Sequence, residues 1–163
     1  MNLPSRRWAL AATAGALAAL FATEPSVSAP LTKTDTFITA ETTGILTIEG
    51  GECFTDPAYS RRDAEVMVRY EPCGEGADNQ SYGFLQAPDG PCDRPRLAAF
   101  AWRGCGEIFD RSWPDRARET LDYYPILPTA QTWADGDRTV MCVVYRPGGR
   151  LTGSVLPLRG AAR

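Results

Sequence analysis

At 163 residues with 44% hydrophobic content, the chain is sized for a single domain with a modest core. Its 17 basic residues against 20 acidic ones, a net charge of −3, argue against nucleic acid as a partner, since phosphate neutralisation needs a basic face. Histidine is absent, which excludes Ser-His-Asp and Cys-His nucleophile systems and zinc sites built on imidazole.

Residues 1–29 read as a secretory signal peptide. Arg6 and Arg7 form the charged start, and the apolar run 8–22 is rich in Ala and Leu but short for a bilayer span. Val27-Ser28-Ala29 supplies the small residues that precede a cleavage point after Ala29. Retention of the run as an anchor is the alternative. Removing Arg6, Arg7 and Glu24 with the leader leaves 15 basic against 19 acidic residues, and Lys33 is the only lysine. Export predicts a secreted or wall-associated domain in an oxidising setting, with no stable membrane insertion after processing.

Residues 30–43 are threonine-rich and predict a flexible N-terminal segment, followed by one domain over 44–159 and a tail over 160–163. The run 44–48 reads as a strand, and Gly50-Gly51 as a turn into Cys53. Val66, Val68 and Tyr70 alternate with Met67 and Arg69, predicting a strand over 65–70 that ends at Pro72. A further strand is expected over 81–87, with Tyr82 and Phe84 facing one way. Asp93 is an N-cap with Pro95 in the first turn. Leu97, Ala101, Cys105, Ile108 and Phe109 then recur at helical spacing, with Gly104 and Gly106 allowing close approach to a sheet.

Residues 111–121 read either as a short helix starting at Trp113-Pro114 with Ser112 as its cap or as extended chain. Asp135-Gly136-Asp137 is turn chemistry. It leads into 138–146, whose Val140, Val143, Val144 and Tyr145 suit a half-buried pleated strand. Pro147-Gly148-Gly149 breaks that strand, and 150–158 reads as its returning partner in a C-terminal hairpin. The fold class is α+β: a small, mainly antiparallel sheet with one packed helix and a C-terminal β-hairpin, stapled by disulfides.

Five cysteines in an exported chain mean pairs plus one odd thiol. Cys53 and Cys73 bracket a loop and a strand and can meet at a sheet edge. Cys105 on the helix stripe and Cys142 on the strand can join helix to sheet, leaving Cys92 in its proline-rich loop as the free thiol. Such loops each contribute roughly 3–4 kcal/mol in the chain-entropy model.

Gly51-Glu52-Cys53-Phe54, Val68-Arg69-Tyr70-Glu71-Pro72-Cys73, the helical Cys105, Trp133-x-x-Gly136-Asp137-Arg138-x-x-x-Cys142 and Gly153-Ser154-Val155 together resemble the septum-formation domain of exported actinobacterial proteins. The resemblance covers about residues 46–158, and its Trp-to-Cys segment is the most specific part. It implies an extracytoplasmic domain associated with septum formation and cell division, without established catalysis. It supports the same four-cysteine framework, with Trp133, Gly136, Asp137 and Arg138 as structural motif residues. The family usually follows its second cysteine with Pro-His and then Glu-Val. Here those positions hold Gly76-Ala77 and Gln80-Ser81, so any role of the family's histidine is not carried by this chain.

The resulting expectation is a non-catalytic protein of the cell envelope, with no cofactor and no metal. Its partner would be an envelope protein or a wall polymer. Trp113, Tyr123 and Tyr124, beside prolines, offer an aromatic ligand platform. One alternative is a secreted hydrolase of cell-wall polymers using loop carboxylates from among Glu49, Glu52, Asp56, Glu75, Asp78 and Asp89. Another is an inhibitor or effector of a second protein acting through its disulfide-held loops and Cys92.

Overall fold

The computed structural model describes residues 31–113 and 119–157. The predicted leader, the tail 160–163 and residues 114–118 lie outside the described residues; Ser112 does not cap a new helix at Trp113-Pro114 but ends the long helix Arg94–Ser112, with Trp113 as its C-cap.

The organising element is strand β6 (Thr139–Tyr145). It pairs antiparallel on one side with β4 (Asn79–Gln86) and on the other with β5 (Asp122–Ile126). With β1 (Cys53–Phe54) beyond β4, the sheet runs β1-β4-β6-β5. The side chains of β6 alternate between the two sheet faces: Met141, Val143 and Tyr145 join one buried cluster, and on the other face Val140 and Cys142 join a second and Val144 a third. The strand is therefore buried on both faces rather than one, which is why its apolar run shows no polar alternation.

One face is covered by helix α1 (Arg94–Ser112). Asp93 caps it by accepting the Arg96 N–H, Pro95 sits in its first turn, and Leu97, Ala101, Cys105 and Phe109 are buried. Gly104 and Gly106 allow the close approach: a Cβ at Gly104 would lie 2.5 Å from Leu85 Cδ1, and one at Gly106 2.5 Å from the Tyr123 hydroxyl. Disulfide Cys105–Cys142 then joins the helix to the central strand, while Cys53–Cys73 holds β1 to the chain entering β4.

The opposite face is covered by the chain before β1. The segment 30–43, expected to be flexible, instead buries Lys33, Ile38 and Ala40 as far as it is described. Its Ala40 N–H donates to the Leu127 carbonyl. The predicted strand 44–48 is a 3-10 turn, Ile45–Thr47. Gly44 enters it at φ 87°, and any Cβ there would collide with the Val68 carbonyl. A two-stranded sheet, β2 (Ala58–Ser60) with β3 (Glu65–Met67), flanks this layer. The strand expected over 65–70 ends at Met67, which bridges Thr43, and the chain then turns to run beside Phe54.

Two further expectations are corrected. Residues 150–158 do not return as a strand over their described part, because both edges of β6 are already taken. The C-terminal antiparallel pair is β5 with β6, and 151–157 lies across the sheet end, with Leu151 N–H donating to Ala77 O and Val155 N–H to Gln80 Oε1. Tyr82 and Phe84 do not share a face either. The register shifts between Ser81 and Gly83, and this bulge turns Tyr82 toward α1 while Phe84 joins Ile45 and Met141 on the other side.

Candidate functional site

The four motif residues form one local unit. Helix α2 (Ala130–Ala134) starts with a reciprocal capping box, in which Thr129 and Thr132 each accept the other's backbone N–H. It presents Trp133, whose indole N–H donates to Gly90 O at 3.0 Å. Gly136 supplies the left-handed turn at φ 96°, and Asp137 Oδ1 accepts the Thr139 N–H at 2.8 Å, so the carboxylate closes the turn. Arg138 then folds back over the indole, 4.0 Å from the ring centroid, and donates to the carbonyls of Trp133 and Asp137. Its Nε lies 3.3 Å from Asp89 as an ion pair without a hydrogen bond; Asp89 is almost fully exposed, so that pair contributes little.

This unit walls a cleft of about 260 Å³ between the loop 87–93 and the first turns of α1. Leu97 and Phe100 form its apolar side, and Asp89, Asp93 and Arg96 bring charge to it. The exposed free thiol of Cys92 lies in the same loop, between Pro91 and Asp93, which both line the cleft. A second groove of about 200 Å³ lies on the opposite sheet face, where Leu46 and Phe84 are exposed beside Ile126 and Met141.

The predicted aromatic platform is not assembled. Trp113 is 4% and Tyr124 0% exposed, and Tyr123 is half-buried, with Phe109 at 5.0 Å and Trp102 at 5.6 Å. Trp113 closes α1 onto the C-terminal segment through its indole N–H to Val155 O, and Tyr124 faces the N-terminal layer. These rings are core because both sheet faces are covered. The loop carboxylates are likewise dispersed. Glu52 accepts the Glu49 N–H within one turn, Glu75 is exposed in a 3-10 turn (Cys73–Glu75), and Asp89 borders the cleft.

Asp56 and Asp78 go instead to a buried polar cluster around Lys33. The Lys33 ammonium contacts Asp56 Oδ1, donates to Asn79 Oδ1 at 2.9 Å, and lies 4.9 Å from the Tyr145 ring centroid and 5.2 Å from that of Phe37. Asn79 Nδ2 donates to Asp56 Oδ1 and Tyr124 Oη to Asn79 Oδ1, each at 2.9 Å. Asp78 accepts the Asp56 N–H and pairs with Arg150, and Tyr145 Oη donates to Asp122. Burial pushes the Lys33 ammonium below its ordinary pKa, against the opposing pull of Asp56 and Asp78. Burial also raises Tyr124 and Tyr82, and it takes Tyr145 up to about 12 despite the Lys33 N–H that its oxygen accepts. The one available signal for this cluster was the solitary lysine in an arginine-rich chain; nothing local marks Asn79 or Tyr145 as its neighbours.

Two disulfides indicate an oxidising, extracytoplasmic environment. Among the described residues, no helix is long and apolar enough to cross a membrane, and no group of three or more His, Cys, Asp or Glu side chains is placed to hold a metal ion. No protein-family model matches the chain, and neither a curated protein nor a solved structure matches it.

Proposed function

We propose that this is a secreted, non-catalytic protein of the cell envelope that acts in septum formation by binding an envelope partner or wall polymer at the Trp133 cleft. The observation that carries this reading is the convergence of the motif residues on one task. Trp133, Gly136, Asp137 and Arg138 spend their hydrogen bonds and stacking on holding an aromatic wall against α1. A space of about 260 Å³ is below the ~300–1,000 Å³ of typical small-molecule pockets, and it suits one anchoring side chain or one sugar ring of a larger ligand. The leader-like residues 1–29 and the disulfides support export.

The test is imaging of the exported protein fused to a fluorophore that matures outside the cytoplasm. Enrichment at the division septum is expected, with loss of enrichment in Arg96→Glu and Phe100→Asp variants that keep the parent circular dichroism. Diffuse or uniform signal refutes the reading. So does turnover of muropeptides that disappears in Asp89→Asn.

A further inference from the structure

We propose that Lys33 and Asn79 become covalently joined by an amide bond between Lys33 Nζ and Asn79 Cγ, formed within the folded chain with Asp56 as proton shuttle. The site is distinct from the Trp133 cleft and does not depend on what that cleft binds.

The geometry carries the assignment. Nucleophile and electrophile are already adjacent, with Lys33 Nζ 2.9 Å from Asn79 Oδ1. A single oxygen, Asp56 Oδ1, touches both Lys33 Nζ and the Asn79 Nδ2 that must leave, so one carboxylate can take a proton from the first and deliver it to the second. The oxygen on which negative charge develops, Asn79 Oδ1, accepts from the Tyr124 hydroxyl at 2.9 Å, the donor an oxyanion requires. Lys33 is 2% and Asn79 0% exposed, and the rings of Phe37, Tyr124 and Tyr145 surround the ammonium, so water is kept from the nucleophile and the electrophile, while the Asp56 carboxylate is partly exposed.

Residue choice points the same way. Every other basic residue in the chain is arginine, which holds buried ion pairs well but stays protonated and is no nucleophile. At the position buried against the Asn79 carboxamide, the chain uses lysine, whose ammonium loses its proton when desolvated.

The step balances without an oxidant. The Lys33 ammonium gives a proton to the Asp56 carboxylate, and the Nζ lone pair attacks Cγ while the carbonyl electrons move onto Oδ1. The intermediate carries the two former Nζ protons beside Asp56, which passes its own proton to Nδ2 and takes one from Nζ. Collapse breaks the Cγ–Nδ2 bond, and the nitrogen departs as ammonia, taking the remaining proton as ammonium. Asn79 rather than Asp56 is the acceptor because an ionised carboxylate is a poor electrophile and its oxygen is engaged as the base. The product ties the N-terminal layer to β4 across 46 residues, enclosing the Cys53–Cys73 loop.

The exported protein is reduced, denatured and weighed, with its N-terminus determined to fix the reference mass. A deficit of about 17 Da, one ammonia, is expected beyond the reduced cysteines. Proteolysis should release a branched peptide joining the segments that hold Lys33 and Asn79, stable to thiols. The Asp56→Asn variant should have the full mass. An unchanged wild-type mass overturns the proposal whatever the variants do. A deficit of about 18 Da mapped between Lys33 and Asp56 overturns the choice of acceptor, and a crosslink that persists in Asp56→Asn overturns the shuttle.

Discussion

Replacing Cys105 and Cys142 together by alanine removes the covalent link between α1 and the central strand. The closed loop spans 37 residues, for which the chain-entropy model gives about 4 kcal/mol of denatured-state constraint. Both cysteines are fully buried between helix and sheet, so the lost sulfurs also leave a small void, costing about 1 kcal/mol more. A total of about 5 kcal/mol is a third or more of the ~5–15 kcal/mol that holds an ordinary domain folded. Urea unfolding followed by tryptophan fluorescence should show the midpoint falling and the slope rising, because the unlinked denatured chain exposes more surface. Removing Cys53 and Cys73 instead opens a loop of 20 residues and should cost slightly less, about 3 kcal/mol. The two loops share no residue, so the two losses should add. If the Cys105/Cys142 double variant stayed within about 1 kcal/mol of the parent, α1 would be held by packing alone and the stapling argument would fail.

Three further outcomes are expected. Cys92→Ser should leave stability within about 0.5 kcal/mol of the parent, while maleimide labels one thiol per folded parent chain; protection of that thiol in native protein would contradict its exposure. Gly104→Ala and Gly106→Ala should differ in urea midpoint. The first meets only a Leu85 methyl that can rotate away, and it gains up to about 1 kcal/mol of helix propensity. The second drives into a Tyr123 ring packed between Phe109 and Trp102 and should lose about 1–2 kcal/mol net, so a more stable Gly106→Ala would refute the rigid-ring reasoning. Finally, Tyr145 ionises near 10 when unfolded and at about 12 when folded. The stability it confers is therefore complete below pH 10 and lost as pH rises toward 12, by about 2–3 kcal/mol. Tyr145→Phe should flatten that decline, and an equally steep decline in the variant would assign it to other groups.

Helix α1 was legible from residues alone because its signals are local: an Asp93 cap, an early proline and an apolar stripe at the period of one helix. The cysteine partners followed from the elements that carry them, since a thiol on a buried helix stripe and one on a buried strand face the same core. The strand expected over 150–158 does not form over its described part because strand formation needs an open partner edge as well as β-prone residues, and β6 has given away both of its edges. The aromatic residues misled for a related reason, as no local feature says that a threonine-rich N-terminal segment will cover the second sheet face and bury Tyr124.

The chain's local code therefore settled the α+β class, the long helix, the Asp135-Gly136-Asp137 turn and the central strand, because capping, periodicity and turn chemistry act over a few neighbouring residues. The cleft behind Trp133 and the meeting of Lys33, Asp56, Asn79 and Tyr124 belong to the packed molecule. Those residues are separated by tens of positions, and only the closing of one layer over each sheet face excludes the water that would otherwise keep the lysine solvated and apart from its neighbours.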